Sequence, residues 1–113
     1  MDNKIKGKKG EDLAKSQYEK WGCEILEENY RFKRSEIDLI VLKEESLLIF
    51  VEVKNRNRTD FGEAETFVSE AQQNRIKEAA EDYIFGINWQ KDIRFDIVCV
   101  DQNDQLEVFE DAF

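Results

Sequence analysis

The apolar residues change their spacing several times along the chain. Between Gly10 and Trp21 they follow a helical period, with Ala14, Tyr18 and Trp21 at i, i+4 and i+7 marking an inward face. This predicts a helix over 10–21, closed by Gly22 at the C′ position, behind a basic, flexible lead-in at 1–7. Cys23–Phe32 carries a weaker strand pattern with an acidic middle and suits a sheet edge. Ile37–Leu42 and Leu47–Val53 are apolar runs too short for helices, separated by the polar break Lys43-Glu44-Glu45-Ser46, and predict a β-hairpin. Both faces of each run are apolar, which places these strands inside a sheet covered on both sides. Thr59–Val68, around Gly62, reads as a loop. Ser69-Glu70-Ala71-Gln72 fits a capping box and opens a helix to about Phe85, with Gly86 as terminator. Its stripe is Ile76, Ala79, Ala80 and Tyr83. Ile93–Val100 is a further strand, and Gln105–Phe109 a short last one.

The resulting order, α-β-β-β-α-β-β, implies a crossover helix between the second hairpin strand and the next strand. The expected fold is a single α/β domain over 1–113, a mixed sheet flanked by helices.

Three charges interrupt the apolar hairpin: Asp38, Glu52 and Lys54. Charged side chains are seldom buried unless paired or bound to metal. If the hairpin turns about Glu45, with a loop of three or five residues, position 38 falls opposite position 52. Even-numbered positions then share a face, and all three charges meet at the hairpin's open end. A slip of one residue would separate them.

Composition narrows the chemistry. The 113 residues include no proline, no histidine and two cysteines. A histidine base and a zinc quartet are excluded, and acid–base work falls to carboxylates, lysine, tyrosine or bound water. Cys23 and Cys99 sit among apolar residues and are expected as buried free thiols. No apolar run approaches the length of a membrane span, and the N-terminus lacks a signal-peptide core, so the expected location is the cytoplasm with no membrane partner.

Net charge is −9, which counts against a nucleic-acid partner. It is unevenly spread. Residues 1–34 carry nine Lys/Arg and seven Asp/Glu, whereas residues 35–113 carry eight and nineteen. Basic groups cluster at Lys4–Lys9, Arg31–Arg34 and Lys54–Arg58. Lys8, Lys9, Arg34, Arg56 and Arg58 are the candidate phosphate contacts, although each cluster alone reads equally as solvated charge. Glu11 lies three residues before Ala14 on the inward helix face, and either complements the helix dipole or points at the hairpin carboxylates. Gln73 stands at the edge of the second helix's stripe, within reach of the interior.

Two carboxylates and a lysine at a sheet's end suit Mg²⁺ or Mn²⁺, which take oxygen ligands and share them with substrate phosphate. Such a site polarises phosphoryl oxygens and lowers the pKa of bound water. Without phosphate or metal, Lys54 would simply neutralise one acid of a salt-bridged cluster.

These residues carry a resemblance. Asp38 followed by Glu52-Val53-Lys54 resembles the Asp…(Asp/Glu)-x-Lys signature of the restriction-endonuclease-like nuclease superfamily. Over nearly the whole chain, Gly7, Gly10-Glu11, Ala14, Gly22, Asn29-Tyr30, Glu36-Ile37-Asp38-Leu39-Ile40, Phe50-Val51-Glu52-Val53-Lys54, Arg56, Gly62, Gln73, Ala80, Arg94-Phe95-Asp96 and Ala112-Phe113 look like the YraN-like family. These are small bacterial proteins related to archaeal Holliday-junction resolvases. The resemblance implies a restriction-endonuclease-like α-β-β-β-α-β core and a Mg²⁺-dependent endonuclease acting on DNA, branched or damaged, in recombination or repair. It implies Asp38 and Glu52 as metal ligands, Glu11 assisting them, Lys54 as catalytic lysine and Gln73 lining the site. Symmetric junction cleavage would call for a homodimer. The chain departs from the family pattern at Ser35, where glycine is usual, and at Gln72, where lysine is usual. Two other functions fit the charge: a nucleic-acid-binding accessory that cuts nothing, and an acidic protein-interaction or inhibitor module.

Overall fold

A computed structural model describes residues 3–56 and 68–113. Its elements run α1 (Asn3–Lys20), β1 (Glu24–Phe32), β2 (Ser35–Lys43), β3 (Leu47–Asn55), α2 (Glu70–Ile87), β4 (Asp92–Val100) and β5 (Leu106–Phe109). The strands form one sheet in the order β1-β2-β3-β4-β5. The β3–β4 pair, bridged by the α2 crossover, is parallel and the other pairs are antiparallel. This is the mixed α/β architecture expected from the apolar pattern. No helix among the described residues is long and apolar enough to cross a membrane.

α1 begins at Asn3, so the basic lead-in is helical rather than separate from the helix; nothing stronger than Gly7 interrupts helix propensity there. It ends as expected. Gly22 adopts φ +83°, Cys23 N–H donates to Tyr18 O at 3.0 Å and Gly22 N–H to Glu19 O at 3.0 Å, a Schellman closure. Ala14 and Tyr18 are fully buried, but Trp21 is half exposed: its ring meets the edge of Tyr18 and lies at the rim of the core. α2 runs past Gly86, the expected terminator, and stops at Asn88, which takes the left-handed conformation (φ +55°).

Two cores cover the sheet. Under α2 lie Ile37, Ile40, Leu48, Phe50, Phe95, Ile97 and Cys99, joined by Ile76, Ala79, Ala80 and Tyr83 from the helix. Under α1 lie Leu39, Val41, Ile49, Val51, Val98 and Val100, with Ala14 and Tyr18. Both cysteines are buried free thiols. One carboxylate, Asp96, is wholly buried on the α1 side. It accepts hydrogen bonds from Tyr18 Oη at 2.7 Å, from Arg94 Nε at 2.8 Å and from the Asp111 N–H at 3.1 Å. A charge so placed is tolerable because it is both paired and hydrogen-bonded.

The hairpin turns as the spacing predicts. Lys43 pairs with Leu47 across a three-residue loop, and the ladder continues to Leu39 opposite Val51, a register that sets Asp38 across from Glu52. Simple alternation fails just beyond this point. Leu39 belongs to the α1-side core, yet Ile37, two residues earlier, belongs to the α2-side core. The same slip occurs in the neighbouring strand. Glu28 bonds Lys15 of α1 at 3.1 Å, while Tyr30 bonds Asp82 of α2 at 2.6 Å. Between them Asn29 holds φ +54°. A left-handed residue inside a strand reverses the side on which its successors emerge. Asn29 and Asp38 therefore mark one fault line across β1 and β2, and Asp38 is not on the even-numbered face but in the gap where β2 and β3 part.

Candidate metal centre

Acidic side chains from three elements converge on that gap. Asp38 Oδ2 accepts the Val53 N–H at 2.7 Å, which fixes the carboxylate between the strands. Glu52, on the α2 side, and Glu11, on the inner face of α1, both come within hydrogen-bonding reach of Asp38. Glu11, Glu36 and Asp38 each bring a carboxylate oxygen within 4.8 Å of the others. Asn29 joins them. With its amide nitrogen oriented toward the acids, as the hydrogen-bond network requires, it donates to Glu11 Oε1 and Glu36 Oε1, both at 2.8 Å.

On the α2 side the organiser is Gln72. Its Nε2 donates to Glu52 Oε2 at 3.0 Å and its Oε1 accepts from Lys54 Nζ at 3.3 Å. One amide thus holds the acid and the lysine of the Glu52-Val53-Lys54 run side by side, with Glu52 only 7% exposed.

The electrostatics are strained by like charge. Desolvation, followed by the proximity of Glu52, pushes Asp38 up to about 8. Desolvation, followed by Asp38 and Glu36, pushes Glu11 up to about 7. Among the described residues, no ion pair reaches Glu11, Asp38 or Glu52; Glu36 alone has a partner, Arg31 at 3.5 Å. Crowded hard oxygen donors lacking a counter-cation are the donor set that Mg²⁺ or Mn²⁺ prefers.

The carboxylates divide two grooves. On the α1 side, about 530 Å³ is lined by Lys8, Glu11, Asn29, Arg31, Glu36 and Asp38, with Val53 and Asn55. On the α2 side, about 310 Å³ is lined by Arg34, Ser35, Glu36, Asp38, Glu52 and Gln72, with Arg75 and Ile76. Asp38 and Glu36 face both, as their position on the fault line requires.

Of the residues singled out from the sequence, Asp38, Glu52, Lys54 and Glu11 come together here. Gln73 does not. Its Nε2 donates to the Val68 carbonyl at 3.1 Å, closing the entry to α2. The capping-box reading hid its neighbour: Ser69 Oγ accepts the Gln72 N–H at 3.1 Å, but the Gln72 side chain, instead of returning to the cap, reaches the site. Lys8 lines the α1-side groove while pairing with Asp12 at 3.4 Å, and Arg34 lines the α2-side groove. Lys9 pairs with Asp104 at 2.9 Å, and Arg56 pairs with Glu107 and lies over the Phe109 ring, so both serve the β5 end of the molecule. Arg58 and most of the Thr59–Val68 loop lie outside the described residues. Asn29, Gln72 and Arg75 were not foreseen. An asparagine in mid-strand was the available signal for the first, since Asn enters the left-handed region far more readily than other residues. The i, i+3 spacing of Gln72 and Arg75 was the signal for the third.

The profile of the uncharacterised protein family UPF0102 matches residues 10–100 of the chain. A UPF0102 protein of Flavobacterium psychrophilum is 41% identical over 110 residues, covering 95% of this chain and 92% of its own. Relatives of the same description from Cytophaga hutchinsonii and Dictyoglomus turgidum are 40% identical over 100 residues and 45% identical over 101. The first covers 88% of both chains, the second 88% of this chain and 85% of its own.

Proposed function

The chain belongs to the UPF0102 family, and from the geometry of its acidic gap we propose that it is a metal-dependent endonuclease hydrolysing phosphodiester bonds of DNA. The observation that carries this reading is the placing of Asp38 between Glu52 and Glu11, with Lys54 held beside Glu52 by Gln72. That arrangement, with the Asp38…Glu52-Val53-Lys54 pattern, supports membership of the restriction-endonuclease-like superfamily.

Asp38 and Glu52 would hold Mg²⁺ or Mn²⁺, with Glu11 approaching from the α1 side. The ion supplies Lewis-acid polarisation of the phosphoryl oxygens and a bound water of lowered pKa. The chain's own contributions are positional and electrostatic. The Val53 N–H fixes the Asp38 carboxylate. Lys54 places an ammonium on the Glu52 side of the gap, where it offsets negative charge developing on the phosphate. Gln72 keeps that ammonium from collapsing onto Glu52. Symmetric cutting of a four-way junction would need two such sites, hence a second copy of the chain.

The test is incubation of labelled linear, flap and four-way-junction DNA with the protein in Mg²⁺ or Mn²⁺, beside Glu52→Ala and Lys54→Ala. Metal-dependent cuts lost in both variants support the proposal. Salt-sensitive binding without cuts supports a non-cleaving accessory role, and absence of both, together with a protein partner recovered from lysate, supports an acidic interaction module.

A further inference from the structure

The cations around the site are not equivalent. Lys8, Lys9, Arg31 and Arg56 are each committed to an acid: Asp12, Asp104, Glu36 and Glu107. In a chain with 26 acids and 17 bases such pairing is the expected fate of an exposed cation. Arg34 and Arg75 escape it. Both are exposed, neither has an acidic partner among the described residues, and both line the α2-side groove whose floor is Asp38 and Glu52. They come from different elements, Arg34 from the turn into β2 and Arg75 from the second turn of α2. Lys54, tied to Gln72 in the wall of the same groove, adds a third positive charge on this side.

We infer that Arg34 and Arg75 form a phosphate clamp that seats the nucleic-acid backbone in the α2-side groove, next to the phosphate presented to Asp38 and Glu52. The inference rests on the nuclease reading and adds to it the side of the sheet from which the strand enters. Guanidinium groups bind phosphate oxygens bidentately, and an unpaired pair flanking a groove fixes a backbone without reading bases. No aromatic side chain lines this groove among the described residues, so base stacking plays no part in the seat. The strand enters between β2 and α2, and the α1-side groove, whose Lys8 and Arg31 are already paired, receives less of it.

The experiment measures binding apart from cleavage. A fluorescent oligonucleotide duplex is titrated by anisotropy in Ca²⁺ at several KCl concentrations, with Arg34→Gln, Arg75→Gln, the double variant and Lys91→Gln. Lys91 serves as control because it bonds the Glu45 carbonyl at the hairpin turn. Each groove substitution should lower the slope of log affinity against log salt by about 0.9, and the double variant by about twice that. Lys91→Gln should leave the slope unchanged, and thermal melts should be the same for all, since both arginines are exposed. Wild-type binding with an unaltered slope in the double variant overturns the clamp and leaves the nuclease reading intact. A lost slope in the double variant, with no Mg²⁺-dependent cutting by wild type, keeps the clamp and overturns the nuclease. Absence of salt-dependent binding by wild type overturns both.

Discussion

Asp38 accepts the Val53 N–H at 2.7 Å at the point where the β2–β3 ladder, last paired at Leu39 and Val51, has stopped. A side chain here replaces a backbone carbonyl as partner of a strand N–H. The bond spans the splay between the strands, at the gap in which the acids meet. Asp38→Ala should therefore leave the half-buried Val53 N–H without a partner, at a cost of about 1–3 kcal/mol. Asp38→Asn should keep an oxygen for that N–H and remove a crowded charge. In chelator at pH 8 the expected order of melting temperature is Asp38→Asn above wild type above Asp38→Ala. Both variants should lack cleavage. Asp38→Asn melting below wild type would show that the charge is not a burden to the metal-free fold.

The same crowding makes stability depend on pH. Asp38 and Glu11 sit at about 8 and about 7 in the folded chain, above their ordinary 3.8 and 4.5, so the native state holds more protons than the unfolded chain between about pH 4 and pH 8. Metal-free stability must then fall as pH rises through that window, by an amount on the order of a few kcal/mol. A divalent cation takes the place of the protons. Millimolar Mg²⁺ or Mn²⁺ should raise the melting temperature strongly at pH 8 and little at pH 5. Melting curves with and without chelator across pH 4–9 measure this directly. A metal-free melting temperature that rises between pH 5 and pH 8 would refute it.

Gln72 and Gln73 are adjacent in sequence and separate in role. Gln72 joins Glu52 to Lys54, whereas Gln73 secures the Val68 carbonyl at the start of α2. Gln72→Ala should lower the cleavage rate by roughly ten- to a hundredfold, the scale reported for lost supporting contacts around metal ligands. Its melting temperature should change little, because the Ser69 cap bonds the backbone of residue 72 and not its side chain. Gln73→Ala should do the reverse, costing about 1 kcal/mol of stability with the rate nearly unchanged. Rate and melting measurements on the two variants separate the roles, and a reversed pattern would reject the assignment.

The sequence made the scaffold legible because burial of apolar runs dictates it. Both hairpin strands, the three-residue loop and the Gly22 closure of α1 follow from local chemistry. The convergence of Asp38 and Glu52 was legible as well, through a register set by the loop. What the pattern could not give was the side on which Asp38 emerges, because strict alternation assumes regular neighbouring strands, and β2 changes sides between Ile37 and Leu39 beside the left-handed Asn29 of β1. Nor could it tell that Gln72 would give up the reciprocal half of its capping box. Two hydrogen-bond demands competed for one amide, and the buried acid Glu52, with the larger desolvation cost, took it. The helix ending at Asn88 instead of Gly86 has a similar cause: Gly86 is exposed and tolerated within the last turn, and the Asn88 N–H reaches the Phe85 carbonyl at 3.2 Å.

Tyr18 offers a test of the scaffold apart from the site. Its hydroxyl donates to Asp96 at 2.7 Å inside the α1-side core, where the carboxylate is also bonded by Arg94 and the Asp111 N–H. Burial, with Asp96 alongside, pushes the Tyr18 hydroxyl far above its ordinary value, so it remains a donor at every accessible pH. Tyr18→Phe removes one of the donors to a wholly buried charge, and should cost about 1–3 kcal/mol. Asp96→Asn should cost more, because it removes the negative charge paired with the half-buried Arg94 guanidinium, whose other acidic contact, Glu110, is at 3.5 Å. Both losses should be the same in chelator and in Mg²⁺, since neither residue touches the acidic gap. A metal-dependent change in either would mean that the two polar clusters, which meet only through α1 and the sheet, are energetically coupled.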